Sequence, residues 1–595
     1  MALFFSASWL SFLRRRRALP PGPSPWPILG NLPDLGFLPY RSLAKLADRF
    51  GSILTVWLGS IPSVIITSPE LAREVLKTQD KFCSSRPLLR LLAFITHDGN
   101  DMVFSPSNDH WRMQRRLATL HLLSPRALQA TLPVREQEIR DMLDAIAEDA
   151  SNADARGVEV RGYLNRATLN NILRLTVGKR YSYSTIHRAA AAAPGEMLEA
   201  AIKTDWQGRI AAISAVGGAK SGESADDSSR RPSPGFAAAG AAPTEGDEME
   251  GEKVIAMIDE TFKVMGTFNL ADFIPWLSHV DSQRIYARAK RLKPHIEGFV
   301  LACIEERSRM LKRRTPRKGG EDESRERVLV DALLEMEGDE GDRVTGVDRV
   351  TRKDIMLLCL DLLNAGTDTT AKTVEWALAE LASQPGMLER LQAEVDAAYA
   401  KLASKLAPPE AVTEIEAAAA AAAAAEEVPT GNQGAELASL PVQDMPYLQA
   451  VIKETLRHHP PVPLLIPHMT TTRVTIGGYT IPPNTIIQIN GWGLAHNPTV
   501  WKDPHDFDPS RFLGPSAPDV TGMHFGVLPF GSGRRGCVGM NLGLDLSARM
   551  LANFLHRFDL KLPQDLVASG GVDLGEEFSL TMALAKPLRV VLKER

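Results

Sequence analysis

Apolar and polar positions follow a few distinct rhythms along the chain. Over residues 53–67 apolar, mostly β-branched residues alternate around Gly59 and Pro62, which predicts a β-hairpin. From there to about residue 400 the spacing is mostly helical. Residues 351–384 read as one long helix stopped by Pro385-Gly386. Its middle, 355–363, is apolar on nearly every side, so this helix is expected to run through the core. After Ile466 the pattern changes to short strands at 473–476, 479–481 and 486–489, and a last strand pair is expected between 579–582 and 589–592. The fold class is therefore mainly α with small β-sheets.

Two stretches break these rhythms. Residues 214–250 are rich in Gly, Ala, Ser, Pro and acids, with almost no large apolar side chain, and are expected to be a disordered surface insert. Residues 404–438 hold an alanine run, Ala417 to Ala425, between Glu416 and Glu426. That run has no apolar stripe to bury, so it is a solvated helix or disorder. No internal repeat is evident. At the start, residues 1–13 are apolar and Arg14 to Arg17 follow. As a helix the apolar run reaches roughly 20 Å, against about 30 Å of hydrocarbon, so it is short for a full span. The basic block places the rest of the chain on the cytosolic side. A monotopic anchor or a targeting peptide stays open for this segment. Pro20, Pro21, Gly22, Pro23, Pro25 and Pro27 then form a stiff stretch that cannot be helix. The expected organisation is an anchor with a basic stop over 1–19, a proline-rich hinge over 20–34 and one globular domain over 35–595.

The chain has 595 residues, 44% hydrophobic and 24% charged, enough for a large single core. A net charge of −4 and a pI of about 6.4 point away from nucleic acid as a partner. The four cysteines, Cys83, Cys303, Cys359 and Cys537, fit neither a disulfide framework nor a zinc site. A reducing setting follows.

Cys537 stands in the stretch Phe530-Gly531-Ser532-Gly533-Arg534-Arg535-Gly536-Cys537-Val538-Gly539, of the pattern Phe-x-x-Gly-x-Arg-x-Cys-x-Gly. Its residue types suit a thiolate ligand of iron. Such a thiolate must stay deprotonated and dry, so it needs backbone N–H groups aimed at sulfur and a cation nearby. Glycines at 533, 536 and 539 let the backbone close around the sulfur. The alternative is a glycine-rich turn around a buried free cysteine. Four further signals are each weak alone: Ala365-Gly366-Thr367-Asp368-Thr369-Thr370 within the long helix; Glu454 and Arg457 on one helix face, followed by His459-Pro460-Pro461-Val462-Pro463; Phe507-Asp508-Pro509-Ser510-Arg511-Phe512; and Trp111 with Arg115.

Together these motifs resemble the cytochrome P450 family, over residues 20–595 apart from the two inserts. The proline hinge, residues 266–275 and Pro463-Leu464-Leu465-Ile466-Pro467-His468 look like the plant microsomal branch, including hydroxylases of flavonoids and other phenolic compounds. The resemblance implies haem b held between the long central helix and the cysteine loop. Cys537 would be the axial ligand, whose thiolate favours O–O cleavage. Phe530 would cover the proximal side of the ring, and Arg535, Trp111, Arg115 and His468 would meet the propionates. Ala365-Gly366 would leave room for O₂ and substrate. Thr369 and Asp368 would handle protons. Glu454, Arg457 and Arg511 would form a structural network. The resemblance also implies electrons from NADPH through a separate NADPH–cytochrome P450 reductase, a small lipophilic or aromatic substrate, and residence on the endoplasmic reticulum membrane facing the cytosol. Arg112, Arg116 and Arg534 are either a basic face for an acidic electron donor or ordinary solvated arginines. Substrate contacts are expected from residues 88–103, 364–369, 462–466 and 578–580.

Val538 departs from the family, which usually has proline there. Two rivals remain at this point. One is a reductase-independent haem-thiolate isomerase or dehydratase. The other is a haem-binding protein without turnover.

Overall fold

The computed structural model describes residues 19–152, 156–183, 186, 194–206, 208–210, 245–274, 277, 280–313, 327–338, 350–406 and 440–595. The first elements are helix α1 (Pro39–Phe50) and the hairpin β1 (Ile53–Leu58) and β2 (Ile61–Ile66), in the place the alternation predicted. Both strands of the hairpin are rich in β-branched side chains, and β1 is buried along its whole length. Helix α2 (Asp109–Ala118) is capped by Asn108, whose side chain accepts the Trp111 N–H at 2.8 Å. Helix α3 (Leu132–Asn152), strand β3 (Val158–Glu159) and helix α4 (Arg161–Thr176) follow. Next come α5 (Glu245–Gly266) and α6 (Ile285–Lys312).

The central helix α7 (Arg352–Ser383) matches the expected run, and its ends are set by local chemistry. At its start the Thr351 hydroxyl accepts the Asp354 N–H at 3.2 Å, while the Asp354 carboxylate accepts the Thr351 N–H at 2.8 Å. Pro385 opens the next helix, α8 (Pro385–Leu406), and cannot extend α7. Helix α9 (Pro446–His458) starts on Pro446, and Glu394 of α8 accepts the free N–H groups of Tyr447 and Leu448 at 2.9 and 2.8 Å. Short strands β4 (His468–Met469), β5 (Val474–Ile476), β6 (Tyr479–Ile481) and β7 (Ile486–Ile489) precede the last long helix, α10 (Met540–Arg557). The chain closes with β8 (Phe558–Lys561), β9 (Glu576–Phe578), β10 (Met582–Leu584) and β11 (Arg589–Glu594).

The main sheet has the order β1-β2-β7-β4, with β2 and β7 parallel. The expected pairing of the last two strands is not found. Strand β10 pairs with β9, and β11 pairs with β8 and β3. The Ser579–Thr581 turn, closed by Ser579 N–H to the Thr581 carbonyl at 2.9 Å, brings β10 back on its own neighbour and leaves β11 free for distant partners.

Two large apolar cores meet at α7. Its first half, including Ile355 and Leu363, packs with α5, α6 and the end of α4. Its second half, including Val374 and Leu381, packs with α3, α8, α9 and α10. A third core lies around the main sheet and includes Leu19.

The boundaries expected at the N-terminus shift accordingly. Leu19 belongs to the folded body, and the expected anchor at 1–18 lies outside the described residues. The stretch expected as a hinge, 20–34, lies against β1. The Pro21 carbonyl accepts the Thr55 N–H at 2.9 Å, and the Asn31 side chain accepts the Trp57 N–H at 2.8 Å. Residues 214–244 and 407–438 of the expected inserts lie outside the described residues, whereas 245–250 are helical. Glu250 is buried there, 3.1 Å from the Lys179 ammonium, a partner that composition does not reveal. Among the described residues, no helix is long and apolar enough to cross a membrane.

Candidate active site

A cavity of about 360 Å³ is lined both by α7 and by the loop that leads into α10. The loop is built by tight backbone turns. Gly531 and Gly533 have φ of +66°, and a side chain on Gly533 would lie 2.1 Å from the Leu76 carbonyl oxygen. The Cys537 N–H donates to the Phe530 carbonyl at 2.8 Å and the Gly536 N–H to Gly533 at 3.1 Å. Cys537, Phe530 and Val538 line the cavity. Cys537 faces the cavity rather than packed side chains, and desolvation there raises its thiol pKa. The Gly539 N–H and the charge of Arg115 act against that rise. With Val538 in place of proline, α10 still starts at Met540.

Three arginines stand at one edge of the cavity: Arg86, Arg115 and Arg535. Arg535 donates to the carbonyls of Ser84 and Ser105 at 2.7 and 2.6 Å, and its guanidinium lies 4.1 Å from the Trp111 ring centre. Desolvation and the neighbouring Arg115 push its pKa down to about 10. Its remaining nitrogen, Nη1, is buried without a partner. Arg86 was invisible in the sequence, where it is a lone basic residue before Pro87. Here it is held by the carbonyls of Ile466 and Pro467 at 2.7 and 2.8 Å. His468, in contrast, is not among the lining residues. Its Nδ1 lies 3.0 Å from the Cys83 carbonyl, and burial with the charges of Arg86 and Arg535 holds its pKa well below the usual range. Arg86 thus lines the cavity, with His468 close to both Arg86 and Arg535.

On α7, Thr369 lines the cavity and its hydroxyl donates to the Ala365 carbonyl at 2.8 Å. Asp368 does not line it. Its carboxylate accepts from Lys372 and from the Thr581 hydroxyl, both at 2.8 Å, and Lys372 also donates to Thr581 at 2.7 Å. Thr581 lines the cavity and was not singled out in the sequence. A side chain added to Gly366 would meet Ile172 of α4 at 2.6 Å, so this glycine makes room for a helix neighbour. Glu454, Arg457 and Arg511 come together. Arg457 donates to both oxygens of Glu454 at 2.7 Å, the pair is fully buried, and Arg511 Nε lies 3.4 Å from Glu454. Of the three arginines weighed as a basic face, Arg112 and Arg534 are exposed, and each is paired with an aspartate, Asp109 and Asp80.

Each of the four segments expected to meet substrate contributes lining, through Met102, Ala365, Val462 and Leu580 among others. Phe578 lines instead a smaller adjoining cavity of about 140 Å³, which shares Phe104, Met265, Ile466 and Leu580 with the main one. Two helices were missed as walls: α5 supplies Thr261, Phe262 and Met265, and α6 supplies Ala289, Leu292 and Ile296. Three carboxyls also line the cavity, Asp101, Glu297 and Asp361. Burial raises the pKa of Asp101 to about 6 and that of Asp361 well above the usual range, and the neighbouring Asp101 raises Asp361 further. The Met102 N–H donates to Asp361 at 2.6 Å.

The family model of cytochrome P450 matches residues 20–208, 243–406 and 420–569. The chain belongs to the cytochrome P450 family. It is 30% identical to Cytochrome P450 98A2 of Glycine max, over 99% of this chain and 95% of that protein. It is 30% identical to Flavonoid 3'-monooxygenase of Petunia hybrida, over 98% of this chain and 93% of that protein. It is 29% identical to 3-beta-hydroxylase of Tanacetum parthenium, over 99% and 96%. The protein is a haem-thiolate monooxygenase that uses O₂, a small-molecule substrate and a redox partner, and the isomerase reading is not favoured. The site's own residues fit the family's haem. The orphaned Arg535 Nη1 lacks the anionic acceptor that a propionate supplies, and the cavity reaches a cysteine that a backbone N–H already faces.

Proposed function

We propose that this monooxygenase hydroxylates a lipophilic aromatic substrate carrying hydroxyl groups, of the phenolic or flavonoid class. The Cys537 thiolate would hold the haem iron, and electrons come from NADPH through a separate reductase at the cytosolic face of the endoplasmic reticulum. The observation that carries the substrate reading is the cavity's wall: mostly apolar on α5 and α6, through Phe262, Met265, Ala289, Leu292 and Ile296, with Lys293 and Glu297 on α6 and with Asp101 and Asp361 as the polar anchors. An aromatic ring fits the apolar part, and a buried carboxyl pair offers hydrogen bonds to a substrate hydroxyl. The names of the Petunia relative and of Flavonoid 3',5'-hydroxylase of Crocosmia x crocosmiiflora, 31% identical over 96% of this chain, support the class. The basic run Arg14 to Arg17 supports the membrane side.

Bound haem supplies the cleavage of O₂ and the insertion of one oxygen atom into a C–H bond. Gly539 N–H and Arg115 favour the thiolate form of Cys537. Arg535, stacked on Trp111, and Arg86 would hold the haem propionates. Thr369 Oγ1 holds a proton at the cavity face of α7. Asp368 reaches the cavity through Thr581: a proton leaving the Thr581 hydroxyl is replaced from the Lys372 ammonium, which donates to it, while the Asp368 carboxylate accepts from both and holds them in a closed ring of three hydrogen bonds.

Cys537→Ser is expected to abolish the red-shifted CO band of the reduced protein; persistence of the band overturns the ligand assignment. Phenolic, flavonoid, terpenoid and fatty-acid panels are then screened for a low-to-high spin shift. A response confined to terpenoids or fatty acids overturns the substrate class and leaves Cys537 untouched.

A further inference from the structure

Away from the haem cavity, the C-terminal ends of α7 and α9 bring three metal-ligating side chains to one point. Glu380 Oε1 lies 2.7 Å from His459 Nε2, His459 Nε2 lies 3.0 Å from His458 Nδ1, and His458 Nδ1 lies 3.5 Å from Glu380 Oε1. None of the three lines the haem cavity. We propose that Glu380, His458 and His459 bind one divalent transition-metal ion of the zinc class, with water as a fourth ligand.

The first argument is geometric. Ligands about 2.0–2.1 Å from a tetrahedral zinc are about 3.3 Å from one another. The three observed separations bracket that value and need shifts of about half an ångström. Two histidines, one carboxylate and an open position form a known zinc ligand set. The open position is available because Glu380 and His458 border a surface pocket of about 610 Å³, which His505 and Asp506 also line.

The second argument is proton counting. A ring nitrogen offers one hydrogen or one lone pair in the ring plane. His459 Nε2 faces two partners and can serve only one of them with a proton. His458 Nε2 lies 3.0 Å from the His505 carbonyl, which accepts only if that nitrogen carries the hydrogen. In the neutral ring Nδ1 is then a bare lone pair, aimed at Glu380 and His459. This is the outer-shell arrangement that orients a metal-bound histidine, its other N–H donating to a backbone carbonyl. The other ligands are braced as well. His459 stacks on Trp376 of α7 with ring centres 3.7 Å apart, and Gln384 donates to the second oxygen of Glu380 at 3.2 Å. A cation at the centre satisfies three lone pairs that no single proton can.

The charge of the surroundings suits such an ion. The surrounding pocket carries Glu380, Asp503, Asp506 and Asp508 against Lys502 and Arg511.

The test uses the full haem-loaded chain, freed of loose metal by chelation and then titrated with zinc against a chromophoric chelator. One tight zinc per chain is expected by metal analysis, together with a rise in melting temperature on zinc addition. His458→Leu, at a partly exposed position, is expected to fold, to keep its haem spectrum and to bind zinc at least about 100-fold more weakly, beyond the usual cost of losing an outer-shell partner. Its melting temperature should no longer respond to zinc. Absence of tight stoichiometric zinc in the parent chain overturns the proposal without any variant. Undiminished binding in His458→Leu overturns it as well.

Discussion

The wall of the cavity that carries Cys537 and the wall proposed for substrate are assembled by opposite means. Phe530, Arg535 and Cys537 come from one loop, shaped by glycines with positive φ and closed by short backbone hydrogen bonds. The same fixed chemistry recurs in a fully buried pair, Glu454 and Arg457, whose guanidinium also donates to the carbonyls of Ala495, Pro504 and Asp506. The substrate wall takes Met102, Phe262, Leu292, Asp361 and Leu580 from segments far apart in the chain. No local motif organises them; they meet because α5 and α6 pack on α7. The first wall is therefore fixed by chemistry that leaves little freedom of residue type. The second is fixed by packing, which accepts many side chains of suitable volume. Binding specificity can change on the second wall while the first stays constant.

Four substitutions separate the two walls, in falling order of effect on stability. Arg457→Met leaves Glu454 buried and uncompensated, and about 3–5 kcal/mol of stability should be lost. Denaturant melts with haem-incorporation spectra would reveal it; a loss near zero would remove the contrast between the walls. Gly366→Ala presses a methyl group on Ile172, at an expected cost of about 1–3 kcal/mol. Adding Ile172→Val should recover part of that loss in the same melts, since it removes one of the two clashing atoms.

Asp361→Asn tests the polar part of the substrate wall. Burial raises the Asp361 pKa above its unfolded value, so its contribution is fully present below about pH 3.9 and is lost as pH rises through the folded value. The amide variant escapes that loss. It should melt higher than the parent at pH 8, by on the order of 1 kcal/mol, with the gap closing below about pH 4. A gap independent of pH would place the charge of Asp361 elsewhere. Thr369→Ala removes a hydroxyl bonded only to its own helix, so stability should change by no more than about 0.5 kcal/mol. Product formed per NADPH should nevertheless fall while peroxide rises. Unchanged coupling would remove the proton role of Thr369.

The sequence by itself determined the elements whose causes are local. The alternation over 53–67 became β1 and β2, and Thr351 with Asp354 and Pro385 marked both ends of α7. It also determined the cysteine loop, because its glycines and Arg535 lie within a few residues of Cys537. The Glu454–Arg457 pair was legible for the same reason, being one helical turn apart. Tertiary structure alone decided that 20–34 lies against β1, that β11 pairs with β8 and β3, and that Arg86 lines the cavity. It alone decided that Asp368 reaches the cavity through Thr581, and that Glu380 meets His458 and His459. Local rules act through backbone dihedrals and neighbours within a turn, which the chain order states outright. Contacts between residues hundreds of positions apart depend on how helices pack, and chain order carries no distance for them.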